Sequence, residues 1–183
     1  DPMAAGLADS LARPRGNATG VTFMIVEINA KRIQILKDIA PATKRIALLS
    51  HPNHPGESGE IEVCRRAVAE LGIDLFYTPV HGREDIDRAL VQAAAAACDA
   101  VVALPDSITN PNREHIATYG PNLRDCFRRV GYFAARVRGG TKTTDLPIEQ
   151  PTRFELVLNL RTAKAIGLSL AEAHLARADE VLD

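Results

Sequence analysis

Tryptophan is absent from these 183 residues and aromatic residues make up only 4% of them, which argues mildly against a site that stacks a sugar ring. Three cysteines, Cys64, Cys98 and Cys126, are widely separated. They offer neither a CxxC metal pair nor a disulfide framework and read as small apolar residues of helices or strand edges. A formal net charge of −1 gives no broad attraction for nucleic acid or an anionic membrane, so no nucleic-acid partner is expected. There is no run of about 18 apolar residues, the length a membrane-crossing helix needs. The start, Asp1-Pro2-Met3, has no basic stretch, apolar core or cleavage site, so the sequence as given carries no address.

Recognisable catalytic and nucleotide-binding patterns are missing as well. Gly16 and Gly20 do not make GxGxxG, and neither GxxxxGK[ST] nor a GxSxG elbow occurs. His51, His54, His81, His115 and His174 are dispersed, and the His51/His54 pair sits beside prolines rather than on one helical face, so no metal site is expected. Acidic residues mostly stand near basic ones, as Glu57 and Glu60 do with Arg65 and Arg66, which reads as solvated helix surface. The expectation is a chain without cofactor and without catalysis of its own.

What is present is a globular composition, 46% hydrophobic and 25% charged, enough for one domain or two small lobes. Between residues 45 and 104 a short apolar strand, a polar loop and an amphipathic helix recur. Arg45 to Leu49, Ile73 to Thr78 and Ala100 to Leu104 are the expected strands, spaced like βα repeats. Ile61, Cys64, Ala67, Val68 and Leu71 form one helical stripe; Ile86, Ala89, Leu90, Ala93 and Ala97 form the next. Right-handed crossovers would lay both helices on a sheet of three adjacent parallel strands, giving a doubly wound α/β lobe with ligand-facing loops at the strands' carboxyl ends.

A helix from about Asn29 to Ile39 leads into this lobe. A second, from Asn122 to Arg138, shows Leu123, Cys126, Phe127, Val130, Phe133, Ala134 and Val137 at helical spacing before Gly139-Gly140, and is expected to be a major core helix. In the segment from Asp145 to Leu168, Pro147 and Pro151 make a stiff extended linker. A strand follows from Glu155 to Asn159. Asn159 then caps a helix carrying Leu160, Ala163 and Ile166 that ends at Gly167.

Three strand exits could hold chemistry. Ser50-His51-Pro52-Asn53-His54-Pro55 supplies donors and acceptors held by two prolines, which suits a small polar or zwitterionic solute; it also reads as a solvated turn that starts a helix. Asp106-Ser107-Ile108-Thr109-Asn110 leaves the third strand, and its Ser, Thr and Asn could equally be helix caps before Pro111. Pro79-Val80-His81-Gly82 leaves the second with thinner chemistry.

The stretch DLPIEQPTRFELVLNLRTAKAIGL closely resembles the carboxyl-terminal signature of the ABC-transporter substrate-binding protein family, whose members include tryptophan- and tyrosine-uptake receptors. DPMAAGLADSLARPRGNATGVT at the start, KRIQILKDIAPATKRIALLSHPNHP, and LARADEVLD at the end, which matches the family's terminal helix, extend the resemblance over nearly the whole chain. It implies a periplasmic-binding-protein-like fold, with one lobe plus parts of the second. Residues 1–30 would be a remnant of the first lobe and the hinge entry. Residues 31–118 would be the α/β ligand-binding lobe, and 119–183 a return helix, a hinge linker and carboxyl-terminal elements of the first lobe.

The resemblance implies the binding component of an importer that captures a small organic solute, amino acids among the candidates, by closing two lobes. Its partners would be that solute and an ABC permease. Its location would be periplasmic or extracytoplasmic, with membrane contact only through the permease or an upstream lipid anchor. Ser50, His51, Asn53, His54, Asp106, Ser107 and Thr109 are the implied ligand contacts, with His51 standing where the family's Asn-Pro-x-Asn-Pro loop has asparagine. Asp1 to Gly6 and Asn17 to Thr22 would lie where the first lobe closes the cleft. A doubly wound enzyme, or a sensor module of the same fold, is the alternative.

The chain departs from the family by running from REHIA directly to TYGPN, with only Thr118 between Ala117 and Tyr119. A helix extension and a strand pair of the family's pattern have no counterpart, through a shortened gene or a splice. An exposed sheet edge or a chain break is expected there, and a complete two-walled cleft is not.

Overall fold

A computed structural model describes residues 2–3, 5–54, 56–109, 117–165 and 167–183. In chain order its elements are β1 (Gly20–Val21), α1 (Ile25–Ile39), β2 (Arg45–Ser50), α2 (Glu57–Glu70), β3 (Asp74–Pro79), α3 (Arg83–Ala95), β4 (Ala100–Ala103), β5 (Ala117–Pro121), α4 (Leu123–Arg138), β6 (Ile148–Glu149), β7 (Phe154–Asn159), α5 (Leu160–Ala165), α6 (Glu172–Leu175) and β8 (Glu180–Leu182). The chain divides into two compact units. The first comprises Asp1–Ile25 with Tyr119–Leu156, and the second Val26–Thr118 with Val157–Asp183.

The second unit is built on a parallel sheet of order β3-β2-β4. RIALLS in β2 is apolar at successive positions, the pattern of a strand buried on both faces, and five of its six residues are buried. Side chains alternate across a strand. Ile46 and Leu48 therefore enter one core with Ile33 of α1, Ile61, Cys64 and Val68 of α2, and Leu104. Ala47 and Leu49 enter another with Val80, Ala89 and Ala93 on the α3 side. Helices cover both faces, so the lobe is a doubly wound α/β structure as the repeat spacing predicts.

Several boundaries differ from the sequence reading. The second strand begins at Asp74 rather than Ile73, because Ile73 still donates its N–H to Val68 O at 2.9 Å and belongs to the turn that closes α2. α1 begins at Ile25, before Asn29. On α3, Leu90 is exposed and Ala97 lies beyond the helix with φ 53°, so only part of the expected stripe reaches the core. Among the described strands β4 is an edge of its sheet, with Val101 exposed. Residues 110–116, which include most of the REHIA side of the join, lie outside the described residues.

In the first unit β1 and β6 pair in parallel, Gly20 with Ile148 and Val21 with Glu149. Thr19 Oγ1 donates to Pro147 O at 2.8 Å, fixing the proline-bounded segment in the extended form its prolines favour. α4 is capped by Asn122, whose Oδ1 accepts the Asp125 N–H at 2.7 Å while Nδ2 reaches Glu155 Oε1 at 2.5 Å. Its burial corrects the sequence reading: Cys126 and Phe133 are its buried residues, whereas Leu123, Phe127, Val130 and Val137 are exposed. Helical spacing marks an apolar face, but burial needs a partner for that face.

β7 begins in the first unit, where Asn122 N–H meets Arg153 O just ahead of it at 3.0 Å and Tyr119 stacks on Phe154. It ends in the second, pairing in parallel with β8 through Val157–Glu180, Leu158–Val181 and Asn159–Leu182. LARADEVLD is therefore not a terminal helix: helix α6 stops at Leu175 and Glu180–Leu182 is a strand. Asn159 Oδ1 accepts the Thr162 N–H at 3.0 Å and Gly167 takes φ 73°, the cap and stop expected for α5; Ile166 lies outside the described residues.

Candidate functional site

Strand β2 sits between β3 and β4, so the chain adds β3 on one side of it and β4 on the other. In doubly wound sheets the carboxyl ends of the strands at such a reversal flank a crevice. Here those ends carry Ser50 and its loop after β2, and Asp106 and its turn after β4. Leu104 N–H donates to Leu49 O at 2.9 Å, which holds the two exits side by side.

Ser50 is buried at 2% exposure, and its carbonyl accepts the Val80 N–H at 2.9 Å, joining the first exit to the second. The loop then turns tightly, with His54 N–H on His51 O at 2.9 Å. His51 Nδ1 accepts the Asn53 N–H at 3.1 Å, so a neutral His51 carries its proton on Nε2 and offers a donor there. Asn53 is exposed. The rings of His51 and His81 lie 6.3 Å apart, edge to face, so the histidine of the second exit stands beside the loop of the first. Pro55 lies outside the described residues.

The third exit is a closed turn. Asp106 Oδ1 accepts the N–H groups of Ile108 (2.6 Å) and Thr109 (2.8 Å). Thr109 Oγ1 accepts from Asp106 N at 3.1 Å and donates to the Leu104 carbonyl. Thr109 is thus committed within the turn, and Ser107 is exposed. Asp106 Oδ2 is buried and has no partner among the described residues, an arrangement that costs about 1–3 kcal/mol unless another group satisfies it. Asn110 and Pro111 lie outside the described residues, as do His115, Asp1 and Ala4.

Glu60 is not a solvated surface residue. It is 3% exposed, with Oε1 3.6 Å from His54 Nδ1 and Oε2 accepting from Asn29 Nδ2 at 3.4 Å. Arg32 Nη1 donates to Asn29 Oδ1 at 2.7 Å. Burial raises the Glu60 pKa above the usual carboxyl value, and His54, the Asn29 hydrogen bond and Arg32 only partly offset it. The same burial, with the Glu60 charge, pushes the Cys64 thiol up to about 12. Glu57 likewise accepts from Tyr77 OH at 2.5 Å. Helical spacing carried the missed signal, since Glu60 stands four residues before Cys64 and so on the buried face of α2. Thr78, near the end of β3, was missed too; its hydroxyl is buried without a partner.

Among the described residues no group of three or more His, Cys, Asp or Glu could hold a metal ion, and no helix is long and apolar enough to cross a membrane. The exits thus present hydroxyl, imidazole, amide and carboxyl groups, which can bind and orient a small polar molecule.

The family model for ABC transporter substrate binding protein matches residues 1–124. The chain belongs to this family. Solved structures show the same fold. A Streptococcus pneumonia ABC domain in complex with L-Trp aligns with a TM-score of 0.83 at 20% identity, over 100% of this chain and 70% of that one. A conserved domain protein from Vibrio cholerae gives 0.83 at 22% identity, over 99% of this chain and 68% of its own. The ligand-free, open structure of CD0873, a substrate binding protein with adhesive properties from Clostridium difficile, gives 0.70 at 17% identity, over 100% of this chain and 68% of its own. No curated protein matches the chain. The fold of this substrate-binding protein is accordingly that of periplasmic binding proteins.

Proposed function

We propose that this substrate-binding protein is the solute-capturing component of an ABC-type importer, taking a small organic solute at the carboxyl ends of β2 and β4. The observation that carries the reading is the meeting of the exits: Ser50 tied to Val80, His51 beside His81, and Asp106 with a buried, unpartnered oxygen, in a chain whose family binds transported substrates. Amino acids head the candidate solutes, because they suit groups that offer both donors and acceptors and because one structural neighbour is a complex with L-Trp. Asn53 and His54 complete the proposed contact loop. Ser107 and Thr109 belong to the same exit, with Thr109 acting through the turn it closes.

Capture proceeds by closure of two lobes on the solute, and the closed form is what a permease recognises. The chain's three passages between its units, after Ile25, Thr118 and Leu156, support this reading, because a closing motion bends a few connecting segments. The protein acts outside the cytoplasm, performs no catalysis, and meets the membrane through its permease or a lipid anchor. Ligand-observed NMR of the chain against amino acids, organic acids and sugars tests the proposal, being sensitive to the weak binding that a single wall gives. Saturation transfer to at least one solute, abolished by Ser50→Ala/His51→Ala, is the expected result. Transfer to no solute, or transfer indifferent to those substitutions, contradicts the proposal.

A further inference from the structure

Resting on the proposed receptor function, we infer that His51 and His81 form an imidazole pair that receives a carboxylate of the solute, so the site takes small organic acids, amino acids included, and discriminates against the matching amides. The two rings leave different strands yet meet edge to face, with centroids 6.3 Å apart. Their bases are fixed. Ser50 and Val80, the residues just before them, are buried and joined by the Val80 N–H on Ser50 O at 2.9 Å, and the His81 N–H donates to Asp85 Oδ2 at 2.9 Å. Such a frame presents both rings at low ordering cost.

Two neighbouring imidazoles can hold a metal ion or donate to an anion, and the Asn53 amide decides between these. His51 Nδ1 accepts the Asn53 N–H at 3.1 Å, so the proton of the neutral ring sits on Nε2. Ligation of a metal through Nε2 would instead put the proton on Nδ1, facing that amide N–H. His51 Nε2 is therefore a donor. His81 is exposed, and its neutral ring also carries one N–H. Two N–H donors approaching from two strand exits match a carboxylate, which accepts through both oxygens with charge assistance, whereas a carboxamide has one acceptor oxygen and no charge.

The surroundings favour the same group. Helices α2 and α3 begin just beyond the two histidines, after Gly56 and Gly82, neither with a side-chain cap bond, and the amino-terminal ends of helices carry partial positive charge. Of the acids in their first turns, Glu57 accepts from Tyr77 OH, Glu60 from Asn29 Nδ2, and Asp85 from Arg88 and the His81 N–H. Glu84 is exposed.

The test measures binding of matched acids and amides to the full chain and to His81→Ala by ligand-observed NMR, using L-tryptophan against L-tryptophanamide, L-leucine against L-leucinamide and 4-methylpentanoate against 4-methylpentanamide. For at least one pair the acid is expected to bind tenfold or more tightly, and His81→Ala to erase most of that preference while melting close to the parent. A second measurement needs no variant: the ring Cε1–H resonances of both histidines in the parent chain should shift with the acid and stay put with its amide. Equal binding of acid and amide, an acid preference that survives in His81→Ala, or histidine resonances that ignore the acid overturns the inference and leaves the receptor function standing. So does acid binding that appears only with added zinc and vanishes with EDTA. Absence of binding by these six compounds overturns the inference, whereas absence across the wider panel of amino acids, organic acids and sugars overturns the receptor function as well.

Discussion

Helices α2 and α4 carry apolar stripes of similar spacing, yet they meet different fates. α2 lays Ile61, Cys64, Ala67 and Val68 against a sheet whose central strand is buried on both sides, and all four are buried. α4 buries Cys126 and Phe133 but leaves Leu123, Phe127 and Val130 exposed, beside strand segments of only two residues, β1 and β6. A periodic pattern fixes which face of a helix is apolar. Whether that face is dry depends on the area that neighbouring elements offer.

The contrast is sharpest in truncation. Leu48→Ala, at a side chain with 0% exposure between α1 and α2, is expected to cost about 2–5 kcal/mol in denaturant unfolding, through lost transfer energy plus a cavity. Phe127→Ala on α4, at 64% exposure, should change stability by about 0.5 kcal/mol or less. A large loss at Phe127 would show that α4 is packed after all and would break the comparison.

Asn122→Ala removes the cap of α4 and the bond to Glu155, and should cost about 1 kcal/mol, measurable as a lower midpoint in the same unfolding curve. For α2 the corresponding probe is Glu60. Its folded pKa is raised, chiefly by burial, so between the ordinary carboxyl range and the raised value the native state holds a proton that the unfolded state has released. Stability due to this group is full at pH below that window and falls as pH rises through it. Glu60→Gln should flatten that slope in a pH series of unfolding curves. An unchanged slope would mean that Glu60 is not the buried acid described. At the smallest scale, the elevated Cys64 pKa predicts that this thiol reacts with Ellman's reagent at pH 8 only after denaturant is added.

Much of this architecture was legible in the sequence. The βα repeat from Arg45 to Leu104 could be read because buried parallel strands are short continuous apolar runs and their crossover helices keep a clean stripe. Asn122 and Asn159 announced their helices by capping chemistry. β8 was not legible, because Glu180–Leu182 is an exposed strand of three residues whose pairing with β7 depends on distant chain. The candidate site was half legible. Strand exits identify the loops, but which oxygen is left over after the local turn closes, as at Asp106, depends on hydrogen bonds that residue order does not specify. Glu60 was misread because charge pairing was weighed before helical face.

In the proposed receptor the carboxyl ends of β2 and β4 form the solute-binding wall. Backbone amide chemical-shift mapping of the isotope-labelled chain, titrated with whichever solute shows saturation transfer, tests it most directly. Shifts concentrated at residues 50–54, 80–81 and 104–109 are the predicted result. Shifts confined to the first unit, with these three exits unmoved, would contradict it.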